Sequence, residues 1–301
     1  MKHKKECIDC SRRQAERVFS LAIRDPEVRA RIDGDLDRLQ KDVGQRAIEI
    51  VENSEPDASP AEVSFWAILE AHKATHCDDP FLKDKRESNA LGLSLYPQMK
   101  QKIEDAEDPL LMGCLLAASG NIIDLGIQEG FDLDAAIRQA LTDGFRASHY
   151  PRLREEMEQT NRDQGALLYI LDNAGETVFD RLLIEEILRL YPGIRIIASV
   201  NSGPILNDAT VEDAKAVGLC DLVQVIENGH QDLGTVLSRC TQEFRDVYFG
   251  ARLIIAKGQA NYETLDERPE NIFFILKAKC EVIARSLGVS LYDAALVRQS
   301  G

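Results

Sequence analysis

The sequence predicts an α/β protein: a helical N-terminal part followed by a mostly parallel, Rossmann-like three-layer sheet domain. Three observations carry this. Residues 1–160 place their apolar side chains at helical spacing, whereas from Gly165 onward short apolar runs alternate with helical segments. The run at 166–171, ALLYIL, has no polar alternation, as expected of a strand buried on both faces of a parallel sheet. Strands separated by helices of this length form βαβ units. The chain has 301 residues, enough for two domains, and the change of pattern divides it into a helical domain, 1–160, and an α/β domain, 161–301.

The elements follow in order. A first helix opens at Cys7 and Cys10 and continues through Ala15, Val18, Phe19, Ala22 and Ile23. Segments 30–51 and 60–74 have similar spacing, and Asp57 or Ser59 is placed to cap the latter. Residues 79–96 read as an irregular connection into a long helix. Asp108-Pro109 starts an apolar helix with Leu110, Leu111, Leu115, Leu116 and Ala117, which runs into SGNIIDLG at 119–126. A helix is expected at 131–144 and a charged lead-in at 152–164. After the 166–171 strand, Val178, Leu182, Ile184, Ile187 and Leu188 mark a helix over 178–190. Further strands are expected at 194–200, 222–226, 253–256, 272–276 and 282–284. Helices are expected at 211–217, capped by Asp208 or Thr210, and at 234–246.

Composition narrows the function. The net charge of −15 argues against nucleic-acid and anionic-membrane binding, which need clustered basic residues. It leaves room for a small phosphorylated substrate, which needs only local positive charge or a metal. No apolar run reaches the roughly 18 residues of a transmembrane helix. The basic start, MKHKKECIDC, lacks the apolar stretch of a secretory signal. Seven cysteines, an odd number, are then expected to be mostly reduced in a cytoplasmic protein.

Three expected strand ends carry unusual polar sets: Asp172 with Asn173, Asn207 with Asp208, and Lys257 with Asn261 and Glu263. In open α/β sheets ligands bind beyond the carboxyl ends of the strands, so neighbouring strands would bring these sets to one crevice. Two aspartates and an asparagine supply hard oxygen donors suited to Mg²⁺ or Mn²⁺. With a lysine opposite, such a site suits a phosphate monoester. Asp172 and Asp208 are equally good helix caps or turn formers, and that alternative stays open. Gly175, Gly203 and Gly258 follow strands, and the N–H groups of Ser202, Gly203 and Gly258 are candidates for holding phosphate oxygens, although turn chemistry alone accounts for such glycines. Cys7 and Cys10 form a single CxxC, open to readings as half a metal site, a redox pair or helix packing.

LDNAGETVFDRLLIEEI at 171–187, SGPILNDATVEDAKAVGL at 202–219 and KGQANYETL at 257–265 together resemble the signatures of the damage-control phosphatase family, long catalogued as domain of unknown function eighty-nine. The resemblance extends to Cys7-Ile8-Asp9-Cys10 and Gly120-Asn121-Ile122-Ile123-Asp124, and is closest to the CxxC-containing prokaryotic and archaeal branch. It implies a helical N-terminal part, an α/β C-terminal part and a divalent metal (Mg²⁺, Mn²⁺, Co²⁺ or Ni²⁺) at the strand ends. By motif, Asp172, Asn173 and Asp208 would ligate it, Lys257 would contact phosphate, and Glu176 would stand behind the ligands on the substrate side. Asn121 and Asp124 would line the substrate side from the helical part. The implied activity is metal-dependent hydrolysis of small phosphate monoesters, such as sugar phosphates or phosphopantetheine-like metabolites, damaged ones included. Where many relatives would carry a basic residue before the Gly-Pro loop, this chain has Asn201-Ser202. Ala174 stands where an aspartyl-phosphate phosphatase would carry its second aspartate, which favours attack by water. The rival readings are S-adenosylmethionine-dependent carboxyl methyl transfer, for which a glycine-rich loop after Leu171 is missing, and a non-catalytic binding protein.

Overall fold

The computed structural model describes residues 1–120 and 133–298. Helices α1 (Cys7–Ala22), α2 (Pro26–Arg31), α3 (Leu36–Glu52) and α4 (Pro60–Thr75) form an N-terminal cluster. They pack through Ala15, Val18, Phe19, Val43, Ala47, Phe65 and Ile68. Ser59, not Asp57, caps α4: its hydroxyl accepts from Glu62 N–H, and the Glu62 carboxylate accepts from Ser59 N–H. The expected 30–51 helix is split, because Asp35 starts α3 afresh by accepting from Asp37 N–H at 3.0 Å.

Helix α5 (Leu82–Glu104) is continuous, so the irregular connection expected at 79–96 is confined to its first few residues. Next come α6 (Pro109–Ser119) and α7 (Leu133–Asp143), then strand β1 (Phe145–Ser148) and α8 (Tyr150–Arg162). The charged lead-in is thus a helix, held to the core by Leu153, Met157 and Thr160 on one face. The sheet half runs β2 (Ala166–Ile170), α9 (Thr177–Leu190), β3 (Arg195–Val200), α10 (Val211–Ala216), β4 (Gln224–Glu227), α11 (Gln242–Gly250), β5 (Leu253–Lys257), α12 (Gln259–Leu265), β6 (Ile272–Lys277), α13 (Glu281–Leu287) and β7 (Ala294–Arg298).

The seven strands order as β1-β7-β6-β5-β2-β3-β4, with every pairing parallel except β6 with β7. Successive residues feed opposite faces. Leu167, Tyr169, Ile196, Ala198, Ile255 and Phe273 pack with Val178, Phe179 and Leu183 of α9 and Cys114 and Leu116 of α6. Leu168, Ile170, Ile197, Ile254 and Phe274 pack with Phe244, Tyr248, Leu265 and Ile283 on the other side. Two-sided burial is why these strands read as unbroken apolar runs, and each fully buried large side chain contributes about 1.5–3 kcal/mol. One core takes in Met99, Ile103 and Leu110 together with the sheet, so α5 and α6 share their packing with residues beyond 160.

Two expectations are corrected. Residues 234–240 are irregular, and α11 begins only after Thr241, whose hydroxyl accepts from Phe244 N–H. Gly234, at φ +70°, lies against the Ala260 carbonyl of α12, where no helix could run. The run 282–284 lies within α13, which Gly288 ends in the left-handed region at φ +68°. A three-residue apolar run does not distinguish strand from helix by periodicity. Strands β1 and β7 were not expected. Among the described residues, no helix is long and apolar enough to cross a membrane.

Candidate active site

Strand β2 is flanked by β3 on one side and β5 on the other, with β4 beyond β3 and β6 beyond β5. The chain therefore reverses direction of winding at β2, where a crevice opens at the carboxyl ends. Asp172 emerges there. The loop after β3 folds back on it: Ala209 N–H donates to the Asp172 carbonyl and Ala174 N–H to the Asn207 carbonyl, both at 2.8 Å, pairing Asn173 with Asp208 as an antiparallel bridge. Two backbone bonds thus join the first two strand-end sets.

Neither aspartate is a helix cap. Glu176 is the N-cap position of helix α9 and Thr210 that of α10, where the Asp213 carboxylate accepts from the Thr210 N–H and hydroxyl. The Asp172 and Asp208 side chains instead face a cavity of about 10 Å³, also lined by Asn201, Asn228, Thr235 and Asn261. That is room for one water or a small ion. Asn201 Nδ2 orients the wall by donating to Asp208 Oδ2 at 3.4 Å and to the Asp232 carbonyl at 2.9 Å. Burial, then the neighbouring Glu176 carboxylate, pushes Asp172 up to about 7. Burial, then Asp172, pushes Asp208 well above the usual carboxylate range.

A second cavity of about 10 Å³ lies on the other side of Asp172, lined by Glu176, Lys257, Gly258, Lys277 and Lys279. Lys257 is 1% exposed, with Nζ 2.8 Å from Asp180 Oδ1 and 3.5 Å from Glu176 Oε2. Burial alone would lower its pKa, but Asp180 and Glu176 outweigh burial and raise it, so the ammonium stays charged. Lys277 is lowered by burial. Lys277 and Lys279 were missed by sequence reasoning. The available signal was K-x-K at the end of a buried strand, where a period of two puts both side chains on one side. Asn173 Nδ2 donates to Glu176 Oε1 at 2.8 Å and to Asp172 Oδ2 at 3.2 Å.

Several expected substrate contacts are corrected. Ser202 N–H donates to the His230 carbonyl at 3.0 Å, and Gly258 N–H to the Ile275 carbonyl at 3.0 Å, so neither is spare for phosphate. Gly203 packs on Gln231, not on either cavity. Gly258 is required for another reason. At φ +80° it is so close to Asp172 that a Cβ there would overlap the carboxylate. Asn261 lines the first cavity, but its Nδ2 donates to the Leu171 and Lys257 carbonyls and its Oδ1 accepts from Thr235. It ties β2, β5 and the 235 segment together and has no donor left for substrate. Glu263 is buried and pushed up to about 7 by burial. Asn121 and Asp124 lie outside the described residues. Cys7 and Cys10 stand one turn apart at the start of α1, and burial raises both thiols, which keeps them protonated and weakly nucleophilic.

The donor set fits a hard divalent cation. Two buried carboxylates face one small chamber, and a carboxamide oxygen is the third donor type. Burial first, and a neighbouring carboxylate second, raise both groups, and a bound cation would favour their ionised forms. Among the described residues no three His, Cys, Asp or Glu side chains group to hold a metal.

A mostly parallel α/β sheet with an acid pair and a lysine cluster sharing one crevice has the character of a phosphoryl-handling enzyme. The comparisons make this specific. Residues 3–295 match the damage-control phosphatase ARMT1-like domain, and the chain belongs to that family. A damage-control phosphatase of Pyrococcus horikoshii is 35% identical over 297 residues, covering 96% of this chain and 95% of that protein. A damage-control phosphatase of Archaeoglobus fulgidus is 32% identical over 222 residues, covering 72% of this chain and 74% of that protein. The crystal structure of a DUF89 family protein from Pyrococcus horikoshii superposes with a TM-score of 0.84 at 32% identity, covering 100% of both chains. Family and relatives support a phosphatase with a damage-control role.

Proposed function

We propose that this chain is a metal-dependent phosphatase that hydrolyses small phosphate monoesters, such as sugar phosphates or phosphopantetheine-like metabolites, damaged ones included. The observation that carries the reading is that Asp172 lines both small cavities, one walled by oxygen donors and the other by lysines. Asp172, Asn173 and Asp208 would hold a divalent cation, Mg²⁺, Mn²⁺, Co²⁺ or Ni²⁺. Once bound, it supplies Lewis-acid polarisation of a phosphoryl oxygen.

The protein's own groups do the rest. Lys257, kept charged by Asp180 and Glu176, offsets the negative charge on the non-bridging oxygens. Lys277 and Lys279, on the lysine side of Asp172, draw the phosphate toward the crevice. Asn201 fixes Asp208, Glu176 fixes Asn173, and Gly258 lets the Lys257 loop approach Asp172 closely. Water attacks phosphorus and the alcohol departs. No covalent intermediate on Asp172 is needed.

The test is release of inorganic phosphate from a panel of phosphorylated metabolites, after chelation and then with each metal added back. Release restored by metal, and absent in a folded Asp172→Ala variant, is expected. No release with any metal, from folded protein, would refute the proposal.

A further inference from the structure

Asp180 is wholly buried in α9 and touches neither small cavity. Its Oδ1 accepts from Tyr169 Oη at 2.7 Å and lies 2.8 Å from Lys257 Nζ, while its Oδ2 is buried with no hydrogen-bond partner among the described residues. Tyr169 is itself wholly buried in the middle of β2. A carboxylate with one unpaired oxygen in an apolar core is costly to keep there, and a hydrophobic replacement of similar volume is often neutral or stabilising. The group therefore needs a role that packing does not supply.

Following the bonds outward gives one. Tyr169 donates to Asp180, Asp180 holds Lys257, and Lys257 reaches Glu176 Oε2 at 3.5 Å. The other oxygen of Glu176 accepts from Asn173 Nδ2, which also donates to Asp172 Oδ2. The line runs unbroken from the interior of the sheet to the acid pair. At its outer end both donations from Asn173 go to carboxylates, and this sets the orientation of the carboxamide. Its oxygen is the end of the carboxamide with lone pairs to offer a cation. Gly120 lies beside the line: a Cβ added to it would come within 2.8 Å of Glu176 Cβ.

We infer that Asp180, backed by Tyr169, is a positioning residue: it anchors Lys257 so that Glu176 stays with Asn173 and the Asn173 carboxamide oxygen is presented beside Asp172 and Asp208. The inference rests on the phosphatase reading above and deepens it. With Asp180 neutral, Glu176 is the carboxylate left within ion-pair distance of the ammonium among the described residues, and the ammonium closes on it. Glu176 then leaves Asn173, whose amide is free to turn.

The test compares Asp180→Asn and Tyr169→Phe with the parent protein. Mn²⁺ affinity is read from the electron paramagnetic resonance of free Mn²⁺ without substrate, and kcat and KM from phosphate release. Outer partners of metal ligands typically change affinity or activity by roughly 10–100-fold. Asp180→Asn is expected to weaken Mn²⁺ binding by about 10-fold or more and to lower kcat more than it raises KM. Tyr169→Phe is expected to act in the same direction with smaller size, and the double variant to fall short of the product of the two. A core change off this line, Ile187→Val, costs stability but leaves Mn²⁺ affinity unchanged. Parent-like Mn²⁺ affinity in folded Asp180→Asn would overturn the assignment. If that variant does not fold, parent-like affinity in Tyr169→Phe would do so. Absence of Mn²⁺ binding by the parent protein would instead refute the metal-dependent reading itself, and this inference with it.

Discussion

Replacing Gly258 by alanine tests how tightly the two sides of the crevice are built against each other. Gly258 sits at φ +80°, ψ 166°, a region that essentially only glycine occupies. Forcing alanine there costs about 1–3 kcal/mol in backbone strain alone. The new methyl group would also lie 2.5 Å from Asp172 Oδ1, with Cγ and Oδ2 nearer still. Ordinary contacts begin beyond 3 Å, so the carboxylate must retreat. A retreat of about 1 Å is the scale that costs a catalytic constellation roughly 100-fold. Retreat is also opposed, because Glu176 and Asp208 are the carboxylates that already raise the pKa of Asp172 or are raised by it. The assay pairs urea unfolding with metal-supplemented phosphate release. Gly288→Ala is the control: at φ +68° it carries left-handed strain, but an added Cβ meets nothing among the described residues within 4 Å. Gly258→Ala should lose stability and about 100-fold in turnover, Gly288→Ala stability only. Parent-like turnover in Gly258→Ala, or equal loss in both, would refute the reasoning.

Glu263→Gln should flatten the pH dependence of stability. The folded pKa of about 7 lies above the ordinary 4.5, so the fold favours the protonated acid, and stability falls as pH rises through 7. The variant should gain on the parent between pH 5 and 8 by at most about 3 kcal/mol in urea titrations; a constant gap would contradict this. Asn261→Ala removes three buried hydrogen-bonding links and should cost about 2–4 kcal/mol of unfolding free energy, whereas a cost near zero would contradict the tie it makes between β2 and β5. Lys277→Gln should raise KM for phosphate monoesters by about 10-fold, while loss confined to kcat would place that lysine elsewhere in the reaction. Asp172→Asn, measured without metal, should unfold no more readily than the parent, because it removes a buried charge that Glu176 and Asp208 oppose; marked destabilisation would contradict the electrostatics described here.

The sheet strands that hold the site were legible because burial on both faces leaves a continuous apolar run, as at Leu167–Ile170 and Leu253–Ala256. The residues beyond those runs were legible because polar groups at a strand end stand out against them. Strand β7 was not, since AALVR alternates weakly and one of its partners, β1, is distant in sequence. Strand β1 is four residues long inside a helical stretch and exists through its pairing with β7. The phosphate-holding N–H groups expected at Ser202 and Gly258 failed for one reason: sequence shows that a glycine or serine follows a strand, but not that its amide is already used by a neighbouring segment. Asp180 and Tyr169 were hidden because one polar residue on an apolar helix face and a tyrosine in a strand are ordinary until their distance is known.

The placement of β7 bears on how the molecule is assembled. This strand arrives last in the described chain, yet it lies between β6, made shortly before it, and β1, made some 150 residues earlier. The sheet is therefore closed by a contact of long sequence separation, the slow kind in folding because a large loop must be ordered first. Strands β2, β3 and β5, which carry the acids and Lys257, can pair before that step. Refolding should accordingly show the crevice forming ahead of the β1–β7 edge, and a chain cut at 160 leaves each piece with an open strand edge that the other piece was built to cover.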